Sequence, residues 1–461
     1  MAILKRSAPI LGTLMLVSIA AEALQPAWAA PATVPGFTYV QSLEGIDEYR
    51  MDSNGLDVLL KLDHSAPVVT FQVTYHVGSR NEVTGTTGAT HILEHMMFKG
   101  SEHFNDPAGN SVKQYLERVG GNFNATTSFD RTNYFATIGK DKLEGYIAIE
   151  ADRMRNLWLH EADRKAEMTV VRNEYERGEN SPGNALEKEV FAAAYEAQPY
   201  HHMTIGWRSD IENVPIEKLR AFYDTFYWPD NSTVTAVGDI DPVHTLEWIK
   251  KYYGQIPRSP HAIPQVYTTE PPQQGPRRVV LKRAGQLGTV MVAFKVPNGR
   301  AADVASLDVL SAILSIGENS RYSKALMDKS LTTGVSADMP AMHDPALFIV
   351  SAGLAPDIKH EQVESVLLDE IKRVKDQGVT AEEVSRVVNQ FRASEAYSRD
   401  GTAGIASQLN EWIAVGDWTL YATYLDAVAK VTPADVQRVA KTYLNEDQST
   451  TGWFVPVVKN K

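Results

Sequence analysis

Between residues 256 and 278 the chain reads IPRSPHAIPQVYTTEPPQQGPRR, with prolines at 257, 260, 264, 271, 272 and 276. Proline fixes φ and carries no backbone N–H, so this density excludes a helix or a sheet interior and predicts an extended linker. The linker separates two stretches of similar length, 35–255 and 279–461, and the two resemble each other. Each begins with an alternating, β-branched strand pattern, VTFQVTYHVGS in the first and GTVMVAFKVPN in the second. A helical stretch follows each, GATHILEHMMFKGS and ASLDVLSAILSIGENS. Near their ends, FYDTFYWPDNSTVTAVG and VAKTYLNEDQSTTGWFV share Thr225/Thr442, Asp230/Asp447, Ser232/Ser449 and Thr233/Thr450 at a constant offset. Matches in the same order predict an α+β fold of two duplicated domains, each an antiparallel-rich sheet packed with helices.

The first 29 residues read differently. Lys5 and Arg6 precede the apolar run APILGTLMLVSIAA, and Ala27-Trp28-Ala29 fits a small-x-small cleavage site. This predicts a signal peptide over 1–29 and export by the general secretory route, to the periplasm of a two-membrane bacterium. Without those residues the formal charge moves from −12 to −13. Such an acidic chain argues against nucleic-acid binding, which needs basic patches. Zero cysteines exclude disulfides, thiolate metal sites, cysteine catalysis and lipid attachment through cysteine. No later segment has the length of a membrane span.

The chemistry concentrates in HILEHMMFKG, residues 91–100. On a helix, positions i, i+3 and i+4 share a face, so His91, Glu94 and His95 converge. Two imidazoles beside a carboxylate suggest a metal and a water to be activated; the plain alternative is an amphipathic helix with a chance pairing of histidines. A catalytic zinc site takes three protein ligands and leaves a position open. Glu94 is better placed as a base than as a ligand, so a third ligand is needed farther along. DRKAEMTVVRNEYERGEN (163–180) is helical in pattern and places Glu167 and Glu174 two turns apart on one face, with Val170 and Val171 between them. Carboxylates there need cationic or metal partners, or they form a solvated acidic stripe.

Together these residues resemble the pitrilysin/insulinase family, whose zinc motif is inverted. YHVGSRNE (75–82), MMFKGS and GGNFNATTSFDRTNYF (120–135) agree with it, and the likeness is strongest over 68–240. The resemblance implies that His91, His95 and Glu174 bind one Zn2+ per chain and that Glu94 is the general base. It places Glu167 as a supporting carboxylate of the catalytic apparatus. It also implies an endopeptidase for unfolded peptides or small polypeptides, bound as an added strand at a sheet edge where Asn124 and Ala125 are the candidate contacts. The family encloses its chamber with four such domains, so a chain with two needs a partner.

One family feature is missing. Many members carry, on the half without metal, an arginine and a tyrosine seven residues apart that polarise the substrate carbonyl. The corresponding stretch, YSKALMDKSLTTGVSADMP (322–340), aligned with one residue deleted, has Met327 and Thr333 at those places. Arg321-Tyr322 precedes the expected helix and reads as structural. The expectation is a heterodimer, as in the mitochondrial processing peptidase, with a homologous partner that lacks the zinc motif and supplies the pair. A self-sufficient homodimer and a non-catalytic scaffold are the alternatives. His201-His202 reads as loop surface with no role.

Overall fold

The computed structural model describes residues 31–457, so the leader expected over 1–29 lies outside the described residues. The first sheet contains β1 (Phe37–Leu43), β2 (Ile46–Met51), β3 (Asp57–Leu62), β4 (Val68–Tyr75), β5 (Asn122–Thr127), β6 (Thr132–Gly139) and β7 (Ser232–Gly238). Their order is β1-β2-β3-β7-β4-β6-β5. The second sheet contains β8 (Arg277–Ala284), β9 (Thr289–Val296), β10 (Thr332–Asp338), β11 (Ala346–Leu354) and β12 (Ser449–Val457), in the order β10-β11-β9-β12-β8. It repeats the series β5-β6-β4-β7-β3 strand for strand. The pairs β3–β7 and β8–β12 are parallel and the others in the series antiparallel. The fold is α+β, as the duplicated sequence pattern predicts.

The helices of the first stretch that matter here are α1 (Ala89–Met96), α2 (Val112–Val119), α3 (Leu143–Arg155), α4 (Glu161–Glu179) and α5 (Pro182–Ala194). Strand alternation explains how β4 is placed. Val69, Phe71, Val73 and Tyr75 enter the core shared with α1 and α3, while Thr70, Gln72 and Thr74 face the other way and are also buried. That second face is covered by the Gly401–Val415 helix from the far end of the chain. Thr70 lies 2.8 Å from Thr402, Thr74 donates to Asn410 Oδ1 at 2.7 Å, and Gln72 donates to the Ala406 carbonyl at 3.2 Å. Beside this polar stripe Ile405, Leu409 and Ile413 pack with Ile46, Leu59 and Val237.

The exchange is reciprocal, since α5 packs on the second sheet. Leu186, Val190 and Phe191 join the core built on β9 and on Phe454 of β12. Gly452 permits this approach: a Cβ there would stand 2.4 Å from Val190 Cγ2. The proline-rich run has no helix or strand from Gly254 to Pro276, and β8 takes up Arg277 and Arg278. It is nevertheless tied down. Glu270 accepts from the amides of Glu196, Ala197 and Gln198 and pairs with Lys295 at 2.6 Å. Among the described residues no helix is long and apolar enough to cross a membrane.

Candidate active site

Helix α1 starts at Gly88, whose φ of +84 is a left-handed conformation that an L side chain resists. Ile92, Leu93 and Met96 anchor its inner face in the core, which leaves His91, Glu94 and His95 half-buried on the face towards α4. There Glu174 Oε2 stands 3.5 Å from His91 Nε2 and 3.6 Å from His95 Nε2. The three potential ligand atoms lie within 4.8 Å of one another, the one such cluster of three or more among the described residues. The imidazoles meet edge to face, with centroids 4.8 Å apart.

These separations fit a metal better than hydrogen bonds. At 3.5 Å and beyond a direct hydrogen bond is not formed, whereas ligands about 2.0–2.1 Å from a tetrahedral zinc sit about 3.3 Å apart. Burial, helped by the neighbouring His95, pushes His91 down to about 4, so the ring is neutral at ordinary pH, as a metal ligand must be. His95 Nδ1 lies 2.9 Å from Glu167 Oε2, which fixes the ring with Nε2 towards the cluster. Glu167 in turn pairs with Lys99. Burial works to raise the Glu167 carboxyl, but the hydrogen bonds from Lys99 and His95 outweigh it and hold it below its ordinary value.

Glu94 does not join the cluster. Its Oε2 accepts from Thr127 Oγ1 at 2.5 Å, at the end of β5. Burial raises its carboxyl above the ordinary range, with the Thr127 hydroxyl opposing. β5 is an edge strand of the first sheet, at the end opposite β1, and pairs with β6 alone among the described strands. It follows α2 directly through Gly120, whose φ of +68 makes the turn. Asn124 is exposed on this edge; the Ala125 side chain is buried in the core, which leaves only its main chain available to a ligand. Arg131 steadies the same strand, donating to the Thr126 carbonyl at 3.1 Å and to Glu411 at 2.6 Å.

Some readings of the sequence need correction. Val170 faces solvent and only Val171 of that pair is buried, so the apolar face of α4 is narrower than the pattern suggested. His202 is not loop surface: it is 2% exposed and its Nε2 lies 3.0 Å from Glu82. Thr127, Lys99 and Glu82 also serve the site, and no local motif marks them, because their contacts depend on how β5, α4 and the loop before α1 dock. Met327 is 42% exposed at the end of a single helical turn, and Thr333 lies exposed on the edge strand β10. Arg321 is engaged by Glu383 at 2.8 Å, and buried Tyr322 donates to the Leu367 carbonyl at 3.2 Å, so both are structural.

Comparison with known proteins bears on the family and the fold. Residues 57–206 match the family described as insulinase (peptidase family M16), and residues 213–391 match its peptidase M16 inactive domain. The Val304–Ser315 helix, counterpart of α1, has no histidine or glutamate, in keeping with that description. The zinc protease PqqE of Helicobacter pylori is 31% identical over 408 residues, 87% of this chain and 91% of that one. The crystal structure of a protease from Helicobacter pylori superposes with a TM-score of 0.84 at 30% identity, over 92% of this chain and 100% of that one. The periplasmic protease PqqL of Escherichia coli shares the fold, with a TM-score of 0.74 at 18% identity over 91% of this chain but 48% of its own length. The chain belongs to the insulinase family of zinc proteases, peptidase family M16.

Proposed function

We propose that the chain is a zinc-dependent endopeptidase, with His91, His95 and Glu174 as the ligands of one zinc ion and Glu94 as the general base. The observation that carries this is the convergence of the three ligand atoms within 4.8 Å, with a separately held carboxylate beside them. Bound there, zinc supplies a positive charge that makes a water more acidic and a peptide carbonyl more electrophilic. The chain's own residues do the rest. Glu94, kept in reach by Thr127, takes the proton of the attacking water and returns it to the leaving amine. Glu167 orients His95. The edge of β5, through Asn124 and the main chain of Ala125, aligns an extended peptide as an added strand. Recognition through the main chain favours unfolded peptides or small polypeptides over folded proteins.

The two sheets support a division into a metal-binding domain over 35–255 and a second domain of the same fold over 279–461, joined by the 256–278 run. PqqL, of which this chain matches about half, supports a chamber closed by a second pair of such domains. Met327 has no donor and the Thr333 hydroxyl is turned to the Gly353 carbonyl at 3.3 Å, which favours a homologous partner that supplies an arginine and a tyrosine. A homodimer that polarises the carbonyl by other groups is the alternative, and a non-catalytic scaffold would not need all four site residues. The pattern of residues 1–29 and the likeness in fold to PqqL, a periplasmic protease, support export to the periplasm.

The test is zinc content and cleavage of an unstructured peptide by the chain without its leader, alone and with Glu94→Gln as control. About one zinc per chain is expected, with cleavage absent until the partner is added. Cleavage by the chain alone that Glu94→Gln abolishes would favour the homodimer instead. A chain that takes up no zinc would sink the proposal.

A further inference from the structure

Helix α1 carries three site residues on only eight, and its N-cap Gly88 has no side chain to meet the free amides of the first turn. Glu82 meets them from outside the helix. Its Oε2 accepts from the Gly88 amide at 2.8 Å and its Oε1 from the Thr90 amide at 2.7 Å. The Glu82 side chain is wholly buried, where a carboxylate is costly unless every oxygen is engaged. Its side-chain partner among the described residues is His202, 120 positions along the chain, with Nε2 3.0 Å from Oε2. A carboxylate only accepts, so the imidazole proton in this contact sits on Nε2. The segment after His202 is seated against the same loop: Gly206, at φ +81, lies so close that a Cβ would stand 2.5 Å from the Gly88 nitrogen.

The two histidines of the cluster are held by different means. Glu167 fixes the His95 ring through its Nδ1. The Nδ1 of His91 is buried and has no partner among the described residues. With no hydrogen bond behind the ring, where His91 Nε2 stands depends on where the first turn of α1 places the residue and on the His95 ring beside it. Thr90, whose amide Glu82 grips, is the residue immediately before His91.

We infer that Glu82, held in place by His202, is the positioning residue for His91, doing through the helix backbone what Glu167 does for His95 through the ring. The inference rests on the reading of His91, His95 and Glu174 as zinc ligands. Removing either member of the pair lets the first turn shift, so that zinc finds two good ligands and one misplaced.

Zinc dissociation constants are measured by competition with a chromophoric chelator, on the folded chain as wild type, Glu82→Ala, His202→Ala and His202→Gln. The melting temperature of each metal-free protein is recorded alongside. Glu82→Ala and His202→Ala are expected to bind zinc about 10–100-fold more weakly, the usual cost of losing support behind a metal ligand. His202→Gln, whose amide can donate to the same oxygen, is expected to recover most of that loss. Folded variants with wild-type zinc affinity would overturn the inference, as would a loss that follows melting temperature alone and that glutamine does not recover. Should Glu82→Ala fail to fold, the two His202 variants decide, because they leave the carboxylate in place. A wild-type chain that takes up no zinc would instead overturn the ligand reading beneath it.

Discussion

Replacing Thr127 with valine tests how the general base is held. Valine keeps the shape and deletes only the hydroxyl that donates to Glu94 Oε2 at 2.5 Å. A hydrogen bond to a charged acceptor contributes about 1.5–3 kcal/mol. The hydroxyl also serves the protonated acid, so roughly half of that distinguishes the two forms. At 1.36 kcal/mol per pKa unit, this is a shift of about one unit. The sign follows from the causes: burial already raises Glu94 and the Thr127 hydroxyl opposes it, so its loss raises the carboxyl further. A general base must be ionised, and its acid limb therefore moves to higher pH. The assay is kcat/KM against pH for peptide cleavage by wild type and Thr127→Val in the active assembly. Bound zinc acts on both proteins alike, so the difference survives it. The acid limb should move up by about one unit, with roughly tenfold lower activity below it and only a few-fold loss above. An acid limb that stays put or moves down would refute the role given to Thr127 and weaken that given to Glu94.

Glu167→Gln removes the carboxylate from His95 Nδ1 and is expected to weaken zinc binding about 10–100-fold, read by chelator competition. Glu179→Gln breaks the contacts from Glu179 to Lys188 and Arg283, and should lower stability by about 1–3 kcal/mol at pH 7, measured by denaturant titration. Burial works to raise the Glu179 carboxyl, but Lys188 and Arg283 prevail and hold it below its ordinary 4.5. Its stabilisation is thus complete above about pH 5 and lost as the pH falls through the lowered value, so the gap between wild type and Glu179→Gln should close in acid.

What could be read from the sequence was what local periodicity determines. Seven residues of β4 alternate cleanly, so the strand and its core face were legible, and the same pattern in β9 exposed the duplication. His91, Glu94 and His95 fall on one helical face by spacing alone. Glu167 and Glu174 were legible as a helical pair two turns apart, from which family likeness chose Glu174 as the ligand. The phase of α4 was not legible, because Glu167 rather than an apolar residue turns inward beside Val171. Thr127, 33 positions from Glu94, and His202, 120 from Glu82, are joined by docking that leaves no periodic trace. The proline run suggested two halves merely tethered. It gave no hint that α5 and the Gly401–Val415 helix would each cross to the other sheet.

That crossing explains why a sheet without candidate ligands still bears on the proposed metal site. α1 is anchored by Ile92, Leu93 and Met96, but α4, which brings Glu167 and Glu174, buries only Glu167 and Val171 of its nineteen residues. Apolar burial is what usually fixes a helix in place, and α4 has little of it. Its far end is held instead from the second sheet, where Arg283 of β8 donates to Glu179 Oε2 at 2.5 Å, and from α5, where Lys188 pairs with the same carboxylate. α5 follows after a short turn and is itself bedded on β9 and β12. Glu174 lies five residues before Glu179, so the direction from which it approaches His91 and His95 is set where the second sheet meets the end of α4. The second sheet therefore acts on the site mechanically: it contributes no ligand, and it holds the helix whose carboxylate completes the cluster.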